Sequence, residues 1–259
     1  MKRFILDCEP DKNNIIRLRG DDYRYLAKSR RLAAGEFFPA VLPGGGNVRV
    51  QVQSIDGGVL VGKCSTEAAM NTAGQDSPLP NIILFQAMPK GEKMDLIVRQ
   101  AAEGALTEIV PFVSEFSIYK MNNRTGGKVS RWERIIKEAR QQSGSTAVTS
   151  VRPPLKMDEL FSYWEELKRK TPGTIGLLFH HLPLAKSTLH DYLKNVPPIV
   201  VIAVGPEGGF SGSEAERFME AGFMPLTIGD TIMRTETASL YCAAAVRIIL
   251  LERDSWELK

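Results

Sequence analysis

The chain has 259 residues, 43% of them hydrophobic, and a formal charge of +3 at neutral pH. That is enough apolar material for one large core or two small ones, and too little charge to require a polyanionic partner. Cys8, Cys64 and Cys242 are odd in number, widely separated and in no ligand spacing, which argues against a disulfide framework and a zinc or other metal site. Met1 to Asp7 lacks the apolar run of a signal peptide. The most apolar stretch, Ala238 to Leu251, is shorter than a membrane span and contains Arg247, so a cytoplasmic protein with no membrane partner is expected.

Residues 1–72 read as β-rich. Phe37 to Leu42, Val48 to Val52 and Val59 to Gly62 have strand composition, separated by the glycine turns at residues 44–47 and 56–58, which predicts a meander or small barrel. Thr72 to Pro80 is polar with two prolines and is the best linker candidate. From residue 73 to 259 the pattern changes to alternation. Strands are predicted at Ile82 to Phe85, Glu108 to Phe112 and Ile175 to Phe179. Helices are predicted at Lys93 to Glu103, Ser130 to Gln142 and Met157 to Lys168, the second with Trp132, Ile135, Ile136 and Ala139 on one face. Such alternation implies an α/β domain with a mostly parallel sheet covered on both faces.

Two late segments carry the chemistry. The apolar run Ile199 to Val204 stops in Gly205-Pro206-Glu207-Gly208-Gly209, after which Ser211 and Glu214 have capping-box spacing for a helix ending at Ala221-Gly222. A second run, Leu226 to Gly229, leads into Ile232-Met233-Arg234-Thr235-Glu236-Thr237-Ala238 and the last helix. Loops at the carboxyl ends of strands build the ligand crevice of an open α/β sheet. The glycine loop is neither a dinucleotide nor a P-loop fingerprint, and Glu207 opposes a phosphate. A carboxylate there suits a ligand carrying amines or a positive centre, as S-adenosylmethionine does. The structural alternative is a plain glycine turn. Thr235 or Thr237 caps the last helix and Glu236 meets its dipole, but Arg234 is repelled by that dipole. It either binds an anion or carbonyl or supports the neighbouring loop through Glu207.

These residues resemble the RsmE family of ribosomal RNA uracil-N3 methyltransferases, of the SPOUT superfamily. The resemblance rests on Gly205 to Gly209, Ile228-Gly229 and Met233 to Ala238. It extends to Gly91-Glu92-Lys93-Met94, to Arg131 to Ile135 and to Glu138 to Ser143. Departures fall at Gly104-Ala105, Ser145 and Arg30-Arg31. The resemblance implies a PUA-like RNA-binding domain over 1–72 and a trefoil-knotted α/β methyltransferase domain over 73–259. It also implies a homodimer, S-adenosylmethionine as cofactor, and 16S ribosomal RNA or the small ribosomal subunit as partner. The implied cofactor set is Phe179, His180, Val204, Gly205, Pro206, Glu207, Gly208, Gly209, Ile228, Gly229, Ile232, Met233, Arg234, Thr237 and Ala238. Arg234 and Glu236 are the catalytic candidates, with Arg234 stabilising charge on the uracil carbonyls. Glu207 and Glu236 are alternative proton acceptors, and His180 and His181 are further pocket candidates.

Basic residues between Arg17 and Arg31, among them Arg24, Lys28, Arg30 and Arg31, surround Tyr23 and Tyr25, and a second cluster holds Arg124 and Lys128. Each is either an RNA contact or a solvated face. The apolar girth of the last helix fits burial in a core or against a partner. The competing functions are RNA binding without catalysis, methylation of a different RNA, and a nucleotide-dependent enzyme.

Overall fold

The computed structural model describes residues 3–66, 79–119, 125–145, 147–180, 187–227 and 229–252. They form two compact units, one drawn from residues 1–76 and 140–148, the other from 77–139 and 149–259.

The first unit holds β1 (Phe4–Ile5), β2 (Ile15–Leu18) and α1 (Gly20–Tyr23), which widens into a π turn over Arg24–Ser29, then β3 (Phe37–Val41), β4 (Asn47–Asp56) and β5 (Val59–Thr66). They pair in the order β1-β3-β4-β5-β2, antiparallel except for β1 with β3. β4 shows why: Val48, Val50 and Val52 are buried and alternate with exposed Asn47, Arg49 and Gln51, the period of a strand with one wet face. Gly57 and Gly58, both at positive φ, close the two-residue turn between Asp56 and Val59. Phe4, Leu26, Phe38, Val50 and Leu60 form the core. β1 and β2 are too short for a periodicity signal and were not expected. The expected boundary at residue 72 lies outside the described residues. Compactness also assigns 140–148 to this unit, where the Ile5 N–H donates to Gln141 Oε1 at 2.9 Å.

The second unit contains β6 (Asn81–Ala87), α2 (Lys93–Glu103), β7 (Glu108–Val113), α3 (Thr125–Ser143, its last residues in the first unit), β8 (Ser150–Val151), β9 (Leu155–Lys156) and α4 (Met157–Lys170). It continues with β10 (Ile175–Phe179), α5 (Leu189–Leu193), β11 (Ile199–Val204), α6 (Gly212–Glu220), β12 (Phe223–Leu226) and α7 (Thr235–Glu252). The sheet order is β12-β10-β11-β6-β7-β8, with β9 also on β7, and every pairing is parallel. Both faces are covered. Val200, Ile202 and Val204 enter a core with Ile97, Trp132 and Val246, whereas Ile199, Val201 and Ala203 enter another with Phe112, Trp164 and Phe218. Burial on both faces explains the unbroken apolar run of β11. No helix among the described residues is long and apolar enough to cross a membrane.

Candidate active site

The three adjacent strands β12, β10 and β11 end level with one another: Phe179 pairs with Val204 on one side and Leu226 on the other. Gln86, one residue from the end of β6, continues the row beside Val204. The His180 N–H donates to Leu226 O at 2.9 Å and Thr227 Oγ1 donates to His180 O at 3.2 Å, carrying the alignment into the loops. The loop after β11 is a tight turn, closed by the Gly209 N–H donating to Pro206 O at 2.9 Å. It requires glycine at 205, where a Cβ would stand 2.9 Å from the Gly209 carbonyl carbon. The helix that follows is capped as its spacing predicts: Ser211 Oγ accepts from the Glu214 N–H and Glu214 Oε2 from the Ser211 N–H.

A buried polar relay fastens this loop to α7. Gln86 Nε2 donates to Ala87 O at 2.9 Å and to Thr235 Oγ1 at 3.0 Å, and the Thr235 hydroxyl donates to Gly205 O at 2.7 Å. The Ser239 hydroxyl lies against Gln86 Oε1 and 2.8 Å from Thr235 O. Gln86, Thr235 and Ser239 are all at least 97% buried, so each group depends on the others for its hydrogen bonds. Thr235, one of the two expected caps, is therefore committed to the relay. A single amide in the otherwise apolar run of residues 82–87 is the sequence signal for it, and it was missed.

A cavity of about 280 Å³ opens between these loops. Of the residues expected to hold a cofactor, Phe179, His180, Val204, the whole segment Gly205 to Gly209, Gly229, Ile232, Met233 and Ala238 line it. Phe210, Leu226, Thr227, Asp230, Thr231, Thr235 and Cys242 line it as well and were not anticipated. Burial pushes the Cys242 thiol well above its ordinary pKa, so it contributes an apolar wall. Arg234 and Thr237 are exposed and do not line the cavity, and Ile228 and His181 lie outside the described residues.

Glu207 has a different task from the expected one. Its carboxylate is 2.8 Å from Lys93 Nζ and accepts from the Lys90 N–H at 3.1 and 3.3 Å, so it holds the loop to the start of α2 and is not left free for a ligand amine. Lys93 also stands 3.3 Å from Glu236 Oε2, a buried oxygen with no aligned hydrogen-bond donor. One ammonium thus bridges both candidate carboxylates and offsets one of their two charges. Arg234 makes no ion pair among the described residues, so it does not support the loop through Glu207; its carbonyl accepts the N–H groups of Thr237 and Ala238 at the start of α7.

The cavity lining contains no lysine or arginine, while Glu207, Asp230 and His180 contribute its ionisable groups. A phosphate finds no cation there. Apolar walls, backbone amides of a glycine loop and a lining without a cation fit a phosphate-free nucleoside, the chemistry of S-adenosylmethionine.

The expected RNA contacts are distributed differently. Arg24 pairs with Asp21 and remains 65% exposed, Lys28 and Arg31 are exposed and Arg30 is half-buried, all on or just after the π turn of the first unit. Tyr25 stacks on Phe4 at 5.9 Å between ring centroids. Lys128, in the second unit, lies over the Tyr119 ring at 4.6 Å, and Arg124 is outside the described residues.

Residues 75–247 match the profile of the family described as RNA methyltransferase domain. Ribosomal RNA small subunit methyltransferase E of Synechocystis is 31% identical over 96% of this chain and 78% of its own length. The protein of that name from Bacillus subtilis is 24% identical over 95% and 96%. The crystal structure of ribosomal RNA small subunit methyltransferase E from Neisseria gonorrhoeae bound to S-adenosyl methionine shares 27% identity, with a TM-score of 0.78 over 96% of this chain and 98% of that one.

Proposed function

The chain belongs to the RNA methyltransferase domain family, and from that premise we propose that it methylates N3 of one uridine in small-subunit ribosomal RNA. The activity class, S-adenosylmethionine-dependent RNA methyl transfer, goes with the family. The observation that carries the reading is the cavity at the level ends of β10, β11 and β12, walled by residues 205–209 and free of cationic side chains.

When bound, S-adenosylmethionine supplies an activated methyl group. The chain's own part is to hold the loops still, exclude water and manage the proton of uracil N3. Lys93 and the Gln86 relay do the first. Arg234, with no competing counterion among the described residues, faces the charge that develops on the uracil carbonyls. Glu236, next in the chain to the cavity-lining Thr235 and with its buried Oε2 held against Lys93, is the proposed acceptor of the N3 proton. The β-rich first unit acts as a PUA-like RNA-binding domain, with Arg24, Lys28, Arg30 and Arg31 on phosphates. Knotted threading of the second unit belongs to the same proposal, and so does a homodimer formed through α7. That helix leaves Leu240, Tyr241, Ile248 and Leu251 between 42% and 54% exposed.

Calorimetry tests the cofactor half. Saturable heat with S-adenosylmethionine and with S-adenosylhomocysteine, and none with ATP, is expected. Binding of ATP or NAD with no response to either adenosyl compound would replace the methyltransferase by a nucleotide-dependent enzyme.

A further inference from the structure

Beyond β7 the chain makes a tight turn at Ser114 to Ser117 that carries Phe116, 47% exposed. The turn is fixed from several directions. The Ser117 N–H donates to Ser114 O at 3.0 Å, the Ser114 N–H to Ser117 Oγ at 3.2 Å, and Ser117 Oγ to Met88 O at 3.0 Å. The Glu115 N–H donates at 2.8 Å to Glu214 Oε1, on the carboxylate that also closes the capping box of α6. Phe116 is therefore presented by a rigid support, which lowers the entropy lost when something binds it.

One side of the ring has a definite neighbour. A Cβ on Gly208 would come within 3.1 Å of Phe116 Cβ and 3.4 Å of its Cγ and Cδ2. Gly208 lines the cavity, so the ring stands one glycine away from it. Ile118, two residues on, is 66% exposed, and Lys90, whose N–H holds Glu207, is exposed beside the same loop. An exposed aromatic face bordering a methyl-donor pocket, with the exposed Lys90 held by its N–H to the same glycine loop, matches a flat unpaired base on a phosphate backbone.

We infer that Phe116 is a stacking platform for an unpaired base of the acceptor RNA strand, placing that strand across the mouth of the cavity. The inference deepens the methyltransferase reading and rests on it. The ring touches the base and not the reacting atoms, so it sets the affinity and position of the RNA.

The test compares wild type with Phe116→Ala and Phe116→Trp, after thermal melting shows all three folded. A single-stranded oligonucleotide carrying the target uridine is titrated for affinity, methyl transfer is followed at saturating S-adenosylmethionine, and mass is read by light scattering. Phe116→Ala should weaken RNA binding and raise its KM by about tenfold or more, Phe116→Trp should stay near wild type, and cofactor affinity should not move. Unchanged RNA affinity in Phe116→Ala overturns the inference. So does a loss of cofactor binding, which would make the ring a support for Gly208, or a change of mass, which would assign it to a second copy of the chain. A wild type that binds RNA without transferring methyl sinks the methyltransferase reading alone, because the affinity contrast still decides the stacking.

Discussion

Lys93 is the residue on which the two motif loops converge, and its charge sets how the site responds to pH. Burial alone would raise the Glu207 carboxyl, but the Lys93 ammonium and main-chain N–H donors, including that of Lys90, outweigh it and hold the group below its ordinary value. The hydrogen bond to Glu207, assisted by Glu236, raises Lys93 above its ordinary value. A depressed carboxyl contributes its stabilisation above the unfolded pKa and loses it as pH falls through the folded one. A raised ammonium contributes below its unfolded pKa and loses it as pH rises through the folded one. The stability that this ion pair gives the folded protein should therefore be flat between about pH 5 and pH 10 and fall on either side, read as the melting temperature against pH. Lys93→Met leaves two carboxylates facing each other and should weaken S-adenosylmethionine about tenfold by calorimetry, with Lys93→Arg milder. Equal affinity in all three proteins would remove Lys93 from the site. Arg234→Ala should leave the melting temperature unchanged, since the side chain is exposed and makes no ion pair among the described residues. It should slow methyl transfer by about a hundredfold, and normal turnover would exclude a catalytic role.

At the scale of elements, the Gln86 relay is the joint between β6, the glycine loop and α7. Gln86→Leu keeps the volume but removes the buried donor to Thr235 Oγ1 and Ala87 O and the acceptor beside the Ser239 hydroxyl. The cost should be about 2–3 kcal/mol, read as a melting temperature lower by about 5 °C or more. A shift under a degree would mean the relay is not tight. Elements with clean periodicity were legible to the residue: α2 spans Lys93–Glu103 and β10 spans Ile175–Phe179, both as expected. β12 was not. It was expected at 226–229 and is Phe223–Leu226, because Pro225 broke the apparent run, although an edge strand tolerates a proline without loss of a ladder bond. The glycine loop announced itself through composition. Its partners Gln86 and Lys93 lie more than a hundred residues away and have no local signal, since only the parallel sheet brings strand ends together.

For the whole molecule, alternation after residue 73 was sufficient to expect a parallel α/β sheet, and every pairing of the second unit is parallel. What no local pattern contains is the return of 140–148 to the first unit, a consequence of long-range contacts such as that of Ile5 with Gln141. The exposed apolar side of α7 predicts self-association. Leu240→Asp combined with Ile248→Asp should halve the mass seen by light scattering, whereas an unchanged mass would place the dimer contact elsewhere.

Small-subunit RNA from cells lacking this gene, incubated with the purified protein and methyl-labelled S-adenosylmethionine and then mapped by mass spectrometry, tests the central claim most directly. One added methyl group at N3 of a single uridine is the predicted result. No label, or label on a ribose or on another base, would contradict it.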